Sequence, residues 1–259
     1  MELPLDSIIC GDALTELKKL PSASVDLIIT SPPYNIKNIK GNAVDKNQKK
    51  HFKGHKGKLF THGYDVCTDN MSDADYDQWQ HDILIECLRV IKDNGAIFYN
   101  HKFRICNKRL KDHSHILYGL PVRQIIIWDK QGGLSFNNAF FLPNYEIIYM
   151  IAKDGFKLKP YACNVGDIWR FRPEFKNSHP APFPIGIPNR IIESTDSNII
   201  LDPFMGSGTT AAAAKMLGRH YIGFDISPKY CQMAKERLLK ITAPIKTNWF
   251  YDDVIYSSD

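Results

Sequence analysis

Apolar positions along the chain fall into short unbroken runs and longer stretches of helical spacing. Ser7–Cys10 (SIIC) and Val25–Thr30 (VDLIIT) read as short buried strands, with a helical connection over 15–20 that Pro21 ends. Trp79, Ile83, Leu84, Cys87, Leu88 and Ile91 recur three or four apart; this predicts a helix capped by Ser72 or Asp73, running to about Lys92 and closed by Asn94-Gly95. A strand over 96–99 and a second helical stretch over 103–117 follow. The β-branched and aromatic runs 123–130 (RQIIIWDK) and 145–153 (YEIIYMIAK), joined through Gly132-Gly133, predict an antiparallel pair at a sheet edge. Beyond an irregular stretch come a helix over 189–194, a strand over 198–202, a helix over 209–217, a strand over 221–225 and the helix Pro228–Leu239. Strands alternating with helices imply an α/β fold, a mostly parallel twisted sheet with right-handed crossovers.

Composition narrows this to one domain spanning 1–259: 44% hydrophobic residues in 259 suffice for one sizeable core. No run of about 18 apolar residues is present, and MELPLDSIICGDAL lacks the basic flank and apolar core of an export signal, so a cytoplasmic protein without membrane attachment is expected. The six cysteines show neither CxxC spacing nor a Cys/His cluster, so neither a metal site nor a disulfide framework is expected.

The net charge of +5 is unevenly spread. Between Lys37 and Lys58 eight lysines face one acid, Asp45, and the rest of the chain is slightly negative. Residues 35–70, polar and without apolar period, read as a flexible basic loop insertion suited to nucleic-acid phosphates; charge alone fits a solvated loop equally well.

Two motifs carry candidate chemistry. A strand ending at Asp202 runs into Gly206-x-Gly208-x-x-Ala211 and a helix, a pattern that lets backbone approach a ligand closely. Asp225 lies 17 residues beyond Gly208 at the tip of the next strand, where an acid can accept from both hydroxyls of a ribose. That pattern fits a nicotinamide dinucleotide as well as S-adenosylmethionine. The second motif, Ser31-Pro32-Pro33-Tyr34, ends the strand Val25–Thr30 immediately before the basic loop.

Together, and in this order, Ser31-Pro32-Pro33-Tyr34 and Asp202-Pro203-Phe204-Met205-Gly206-Ser207-Gly208-Thr209-Thr210 resemble the motifs of the beta-class, permuted S-adenosylmethionine-dependent DNA amino-methyltransferases. The resemblance runs from about Ser7 to Leu239, excluding the basic loop and the stretch 154–184. It implies a Rossmann-like methyltransferase fold with circularly permuted motif order. It places Phe204 near the donor's sulfonium, where a cation on an aromatic face gains roughly 0.5–2 kcal/mol, and the amides of Pro203-to-Thr209, including Gly206, Ser207 and Gly208, around the methionine part. Asp202 is expected at the donor's amino-acid portion and Asp12, after Cys10-Gly11, at the adenine amino group. Gly166-Asp167-Ile168-Trp169 and the segment from His179 to Pro184 also resemble the family, which brings His179 to the donor side. Gly186 and Pro188 depart from the helix-favouring start expected there.

An exocyclic amino group is a poor nucleophile because its lone pair is delocalised into the ring. The site must extrude the base and accept its amino hydrogens so that the lone pair turns toward the methyl group. Ser31 then offers a side-chain oxygen, Pro32 and Pro33 a stiff backbone with a carbonyl, and Tyr34 a face for stacking. Within the family a serine at the first position is associated mostly with cytosine N4, and an aspartate with adenine N6. Methylation at cytosine C5 needs a cysteine nucleophile in a Pro-Cys setting, and no cysteine here follows a proline. The resemblance also implies duplex DNA as substrate, a cognate restriction endonuclease and a homodimer, with no metal in the reaction. Residues 154–184, with Lys157, Lys159, Arg170, Arg172 and Lys176, are the candidate target-recognition segment.

Overall fold

The first two apolar runs form strands where the sequence places them, β1 (Ser7–Cys10) and β2 (Val25–Thr30), joined by α1 (Ala13–Lys19). The structure is a computed structural model and describes residues 2–35, 71–106, 108–132, 138–173 and 184–242. The basic loop from Lys37 to Lys58, Lys176 and His179 lie outside the described residues. The elements that follow are α2 (Asp73–Val90), β3 (Ile91–His101), β4 (Arg104–Cys106), β5 (Arg109–Lys111), β6 (Val122–Asp129), β7 (Tyr145–Ala152) and β8 (Ile168–Arg170). They continue through α3 (Gly186–Glu193), β9 (Ile199–Asp202), α4 (Thr209–Met216), β10 (His220–Asp225) and α5 (Pro228–Leu239).

One sheet runs in the order β1-β10-β9-β2-β3-β7-β6-β8. β7 is antiparallel to β3 and β6, and the other pairings are parallel. The unbroken apolar run of β2 follows from its position: Leu27 and Ile29 face a core with Ala211–Ala214 of α4 and Ile191 of α3, whereas Ile28 faces Leu17 of α1 and Ile83, Leu84 and Cys87 of α2. The crossovers leaving β2 and β9 run in opposite directions across the sheet. The crevice at the carboxyl ends of these two neighbours is therefore where such a fold takes its ligands.

Four expectations change. The region 103–117 is a small β4–β5 hairpin and a 3-10 turn (Ser114–Leu117) rather than a helix. Its apolar residues Ile105 and Leu110 remain 36% and 62% exposed, Lys108 turns with φ +61, and Arg104 instead reaches the Asn35 carbonyl. The β6–β7 pair is not the sheet edge, because the three residues of β8 add beyond β6; Trp169 there is buried, a tertiary contact that no sequence period signals. α2 stops at Val90: Ile91 is extended, fully buried and paired with Val25 of β2, and Asn94-Gly95 belong to β3. α3 starts at Gly186: a Cβ there would lie 2.5 Å from the Phe171 ring, so the missing side chain is what admits the helix.

Candidate active site

The glycine motif leaves β9 at Asp202 and enters α4, and its residues are almost entirely buried against β10 and α5. Gly206 (φ +53) and Gly208 (φ +79) are left-handed, and a Cβ on Gly208 would meet that of Ala234 at 2.8 Å. Asp225, at the tip of β10, takes the Gly206 amide on Oδ2 and the Ser227 amide on Oδ1, both at 2.8 Å, so it fixes the loop from the next strand. Burial raises its carboxyl pKa, against the opposing effect of those two amides. Met205 donates its amide to the Phe224 carbonyl (2.9 Å), and Arg237 donates to the Thr209 hydroxyl (3.0 Å). Pro203 and Ser207 are buried within the turn.

Asp202 itself is turned into the protein, 2% exposed, accepting from Thr30 Oγ1 (2.8 Å) and the Phe204 amide (3.1 Å). In this structure the carboxylate braces the site, tying the last residue of β2 to the loop after β9. Burial pushes its carboxyl up from 3.8 to about 6 despite bonds from Thr210, Thr30 and the Phe204 amide. The folded chain holds this proton more tightly than the unfolded one, so the group's contribution to stability falls as pH rises from 3.8 through about 6. Asp202→Asn is expected to flatten that part of a stability profile measured by urea melts; a profile as steep as the wild type would assign the titration elsewhere.

Asp12 follows β1 and caps α1, its Oδ1 accepting from the Thr15 amide (2.9 Å) and hydroxyl (2.8 Å). It stands on the same rim as Asp225, because Cys10 pairs with Asp225 across β1 and β10. Phe204 meets Trp79 of α2 edge to face, with centroids 5.6 Å apart. Trp79 falls on the apolar stripe of α2, and its contact with the glycine loop is decided by packing.

Beside this loop stands the tetrapeptide. Pro32 is buried, and the Pro33 carbonyl accepts the Tyr76 hydroxyl at 2.9 Å. Tyr76 also lies 2.9 Å from His101 Nε2, and burial, with His113 next, pushes that imidazole down to about 3, so it is neutral at physiological pH. Tyr34 is 3% exposed, with the edge of His101 at 5.3 Å and Lys102 Nζ over its ring at 4.7 Å. In this conformation Lys102 covers the ring face expected to stack a base.

The Tyr34 hydroxyl is the hub of a polar cluster that no sequence period brings together. Around it lie Ser31 Oγ (2.7 Å), Asn100 Nδ2 of β3 (2.7 Å) and Glu146 Oε2 of β7 (3.0 Å), while Lys130 Nζ holds Glu146 Oε1 at 2.6 Å. The available signals were polar residues next to apolar runs, Asn100 in IFYNH and Glu146 in YEIIYMIA. In the candidate recognition segment, Arg170 lies 3.6 Å from Asp129 and Lys159 3.4 Å from Asp196. Lys157 and Arg172 are exposed, and the buried Arg190 lies over the Trp169 and Phe171 rings.

A mostly parallel α/β sheet carrying a glycine loop and a Ser-Pro-Pro-Tyr turn at adjoining strand ends defines a Rossmann-like methyltransferase. The family model described as DNA methylase matches residues 25–236, and the chain belongs to this family of N6/N4 amino-methyltransferases. The type II methyltransferase M.HpaI of Haemophilus parainfluenzae is 30% identical over 256 residues, covering 89% of this chain and 73% of that protein. M.BglII of Bacillus subtilis is 27% identical over 275 residues, covering 90% and 69%. Among solved structures, the PvuII DNA methyltransferase (cytosine-N4-specific) has a TM-score of 0.71 at 17% identity, covering 90% of this chain and 86% of its own, a likeness of fold. The M1.HpyAVI–SAM complex has a TM-score of 0.56 at 25% identity, covering 90% and 99%. The glycine pattern that alone suggested a nicotinamide enzyme is accounted for by the methylase motif. No helix among the described residues is long and apolar enough to cross a membrane.

Proposed function

We propose that this protein transfers a methyl group from S-adenosylmethionine to the N4 amino group of cytosine in duplex DNA. The observation that carries the choice of base is Ser31, a neutral side-chain acceptor in the first position of the tetrapeptide, at the end of β2 beside the donor loop. The PvuII methyltransferase, a cytosine-N4-specific enzyme, shares this fold. Adenine N6 is the second reading, since either amino group meets the same acceptors. The type II relatives support a place in a restriction-modification system, with a cognate endonuclease.

The residues present fit the donor. The left-handed Gly206 and Gly208 turn the backbone between β9 and α4 so that its amides line the strand-end crevice, Phe204 and Trp79 offer aromatic faces suited to a sulfonium, and Asp225 and Asp12 stand on the rim as acceptors for ribose and adenine. When bound, S-adenosylmethionine supplies an electrophilic methyl group. Ser31 and the stiff Pro32-Pro33 backbone receive the amino hydrogens, so that the nitrogen lone pair is directed out of the ring's conjugation. Tyr34 provides the stacking surface once Lys102 is displaced, worth about 1–3 kcal/mol for a base on an aromatic ring. The nitrogen is cationic and acidic after transfer, so solvent takes its proton. The lysines of 37–58 are the proposed phosphate clamp, and Arg170 and Arg172 the proposed base or phosphate contacts.

The deciding experiment is incubation with S-adenosylmethionine and unmethylated genomic DNA, followed by digestion to nucleosides and mass spectrometry. N4-methylcytosine is the expected product. N6-methyladenine would keep the mechanism and reverse the base assignment, and the absence of any new methylated base would reject DNA as the substrate.

A further inference from the structure

We propose that Glu146, held by Lys130, is a positioning residue that acts through Tyr34 to make Ser31 a hydrogen-bond acceptor for the substrate amino group. The inference rests on the amino-methyltransferase reading above and concerns Glu146 on β7 and Lys130 just after β6, outside both sequence motifs.

The argument is an accounting of protons. Glu146 is buried, 6% exposed, and its Oε1 forms an ion pair with the Lys130 ammonium at 2.6 Å. A carboxylate only accepts. Its Oε2 has two neighbours, Asn100 Nδ2 at 2.8 Å and the Tyr34 hydroxyl at 3.0 Å, and both must donate. The first bond also fixes which way round the Asn100 amide sits. Tyr34 has a single hydroxyl proton, and with that proton committed to Glu146 its oxygen is left as an acceptor. It then receives Asn100 Nδ2 at 2.7 Å and, at 2.7 Å, the hydroxyl proton of Ser31.

Ser31 consequently points its proton inward and keeps its lone pairs for other donors. The Asn100 amide has two protons for three acceptors, and its distance to Ser31 Oγ, 3.2 Å, is the longest of the three. At least one lone pair of Ser31 is thus available to an amino hydrogen. With Glu146 neutral, the Tyr34 proton is free to turn to Ser31, and the serine proton then turns outward to meet the amino hydrogens donor against donor. The ion pair between Glu146 of β7 and Lys130, just after β6, therefore sets the direction of every bond as far as the catalytic strand end.

The test is a double-mutant cycle read by single-turnover methyl transfer to DNA at saturating donor. Glu146→Gln keeps the side chain's size. The ammonium of Lys130 draws the new carbonyl oxygen, so the new amide NH2 faces Tyr34 and reverses the chain. A loss of about 10²-fold in rate is expected, the scale of a misoriented reacting group, with donor Kd and the cooperative melt unchanged. Tyr34→Phe cuts the link, so adding Glu146→Gln to it is expected to lower the rate no further. Should Glu146→Gln fail to fold, Lys130→Gln with Tyr34→Phe supplies the same cycle. A wild-type rate in Glu146→Gln, or losses that multiply in the double variant, would overturn the inference while an active wild type keeps the activity reading. A wild type that binds donor and methylates no base would overturn both.

Discussion

Tyr34→Ala is expected to lower the rate of methyl transfer by about 10²–10³-fold while leaving donor affinity within about threefold. Two losses combine. The stacking surface is worth about 1–3 kcal/mol, and each 1.36 kcal/mol is tenfold in rate. Removal of the hydroxyl also takes away the partner at 2.7 Å that orients Ser31. Donor affinity is spared because the glycine loop is held by Asp202, Asp225 and Phe224, none of which bonds to Tyr34. Tyr34 is only 3% exposed, so its truncation also costs stability, of the order of 3–5 kcal/mol for a large aromatic. Tyr34→Phe retains the ring and separates the two effects. Single-turnover kinetics beside calorimetric donor binding measure both quantities, and wild-type turnover in the alanine variant would remove Tyr34 from the catalytic assignment.

The second large effect is expected at Asp225. Its carboxylate links the amides of Gly206 and Ser227 at 2.8 Å each and is the acid proposed to accept the donor's ribose hydroxyls. Asp225→Ala therefore loosens the loop and deletes the ligand's acceptor together. Hydrogen bonds to a charged group contribute about 1.5–3 kcal/mol, so donor Kd is expected to rise about 10–10²-fold. Most of the rate should return at saturating donor, since Asp225 makes no hydrogen bond to the Ser31–Tyr34–Glu146 cluster. Titration calorimetry checks the first point and turnover at raised donor concentration the second. An unchanged Kd would leave Asp225 as a brace of the loop without a ligand role.

The sheet strands were legible wherever local physics sufficed. β1 and β2 have the bounds read from their apolar runs, and α5 its bounds from Ser227, whose side chain caps the amide of Tyr230, and Pro228 in the first turn. Helix ends were legible only where a cap decided them. α2 begins at its Ser72 cap as expected but ends early, because Ile91 is buried and paired with Val25 of a different strand. β8 was illegible for the same reason: three residues carry no period, and their pairing with β6 is set by burial of Trp169.

The same division holds for the site. By itself the sequence determined the two motifs and their order, because a glycine that must be left-handed and a proline pair that must be stiff are requirements of the backbone at those positions. It also determined the α/β class through the alternation of strand and helix. Only the tertiary structure decided that β2 and β9 are neighbours, so that Thr30 and Asp202, 172 residues apart, share a hydrogen bond and the two motifs share a crevice. It alone brought Asn100, Lys130 and Glu146 to Tyr34. Hydrogen bonds depend on distances of a few ångströms between chain segments, and such distances are fixed by strand register and packing, which no local pattern of residue types contains.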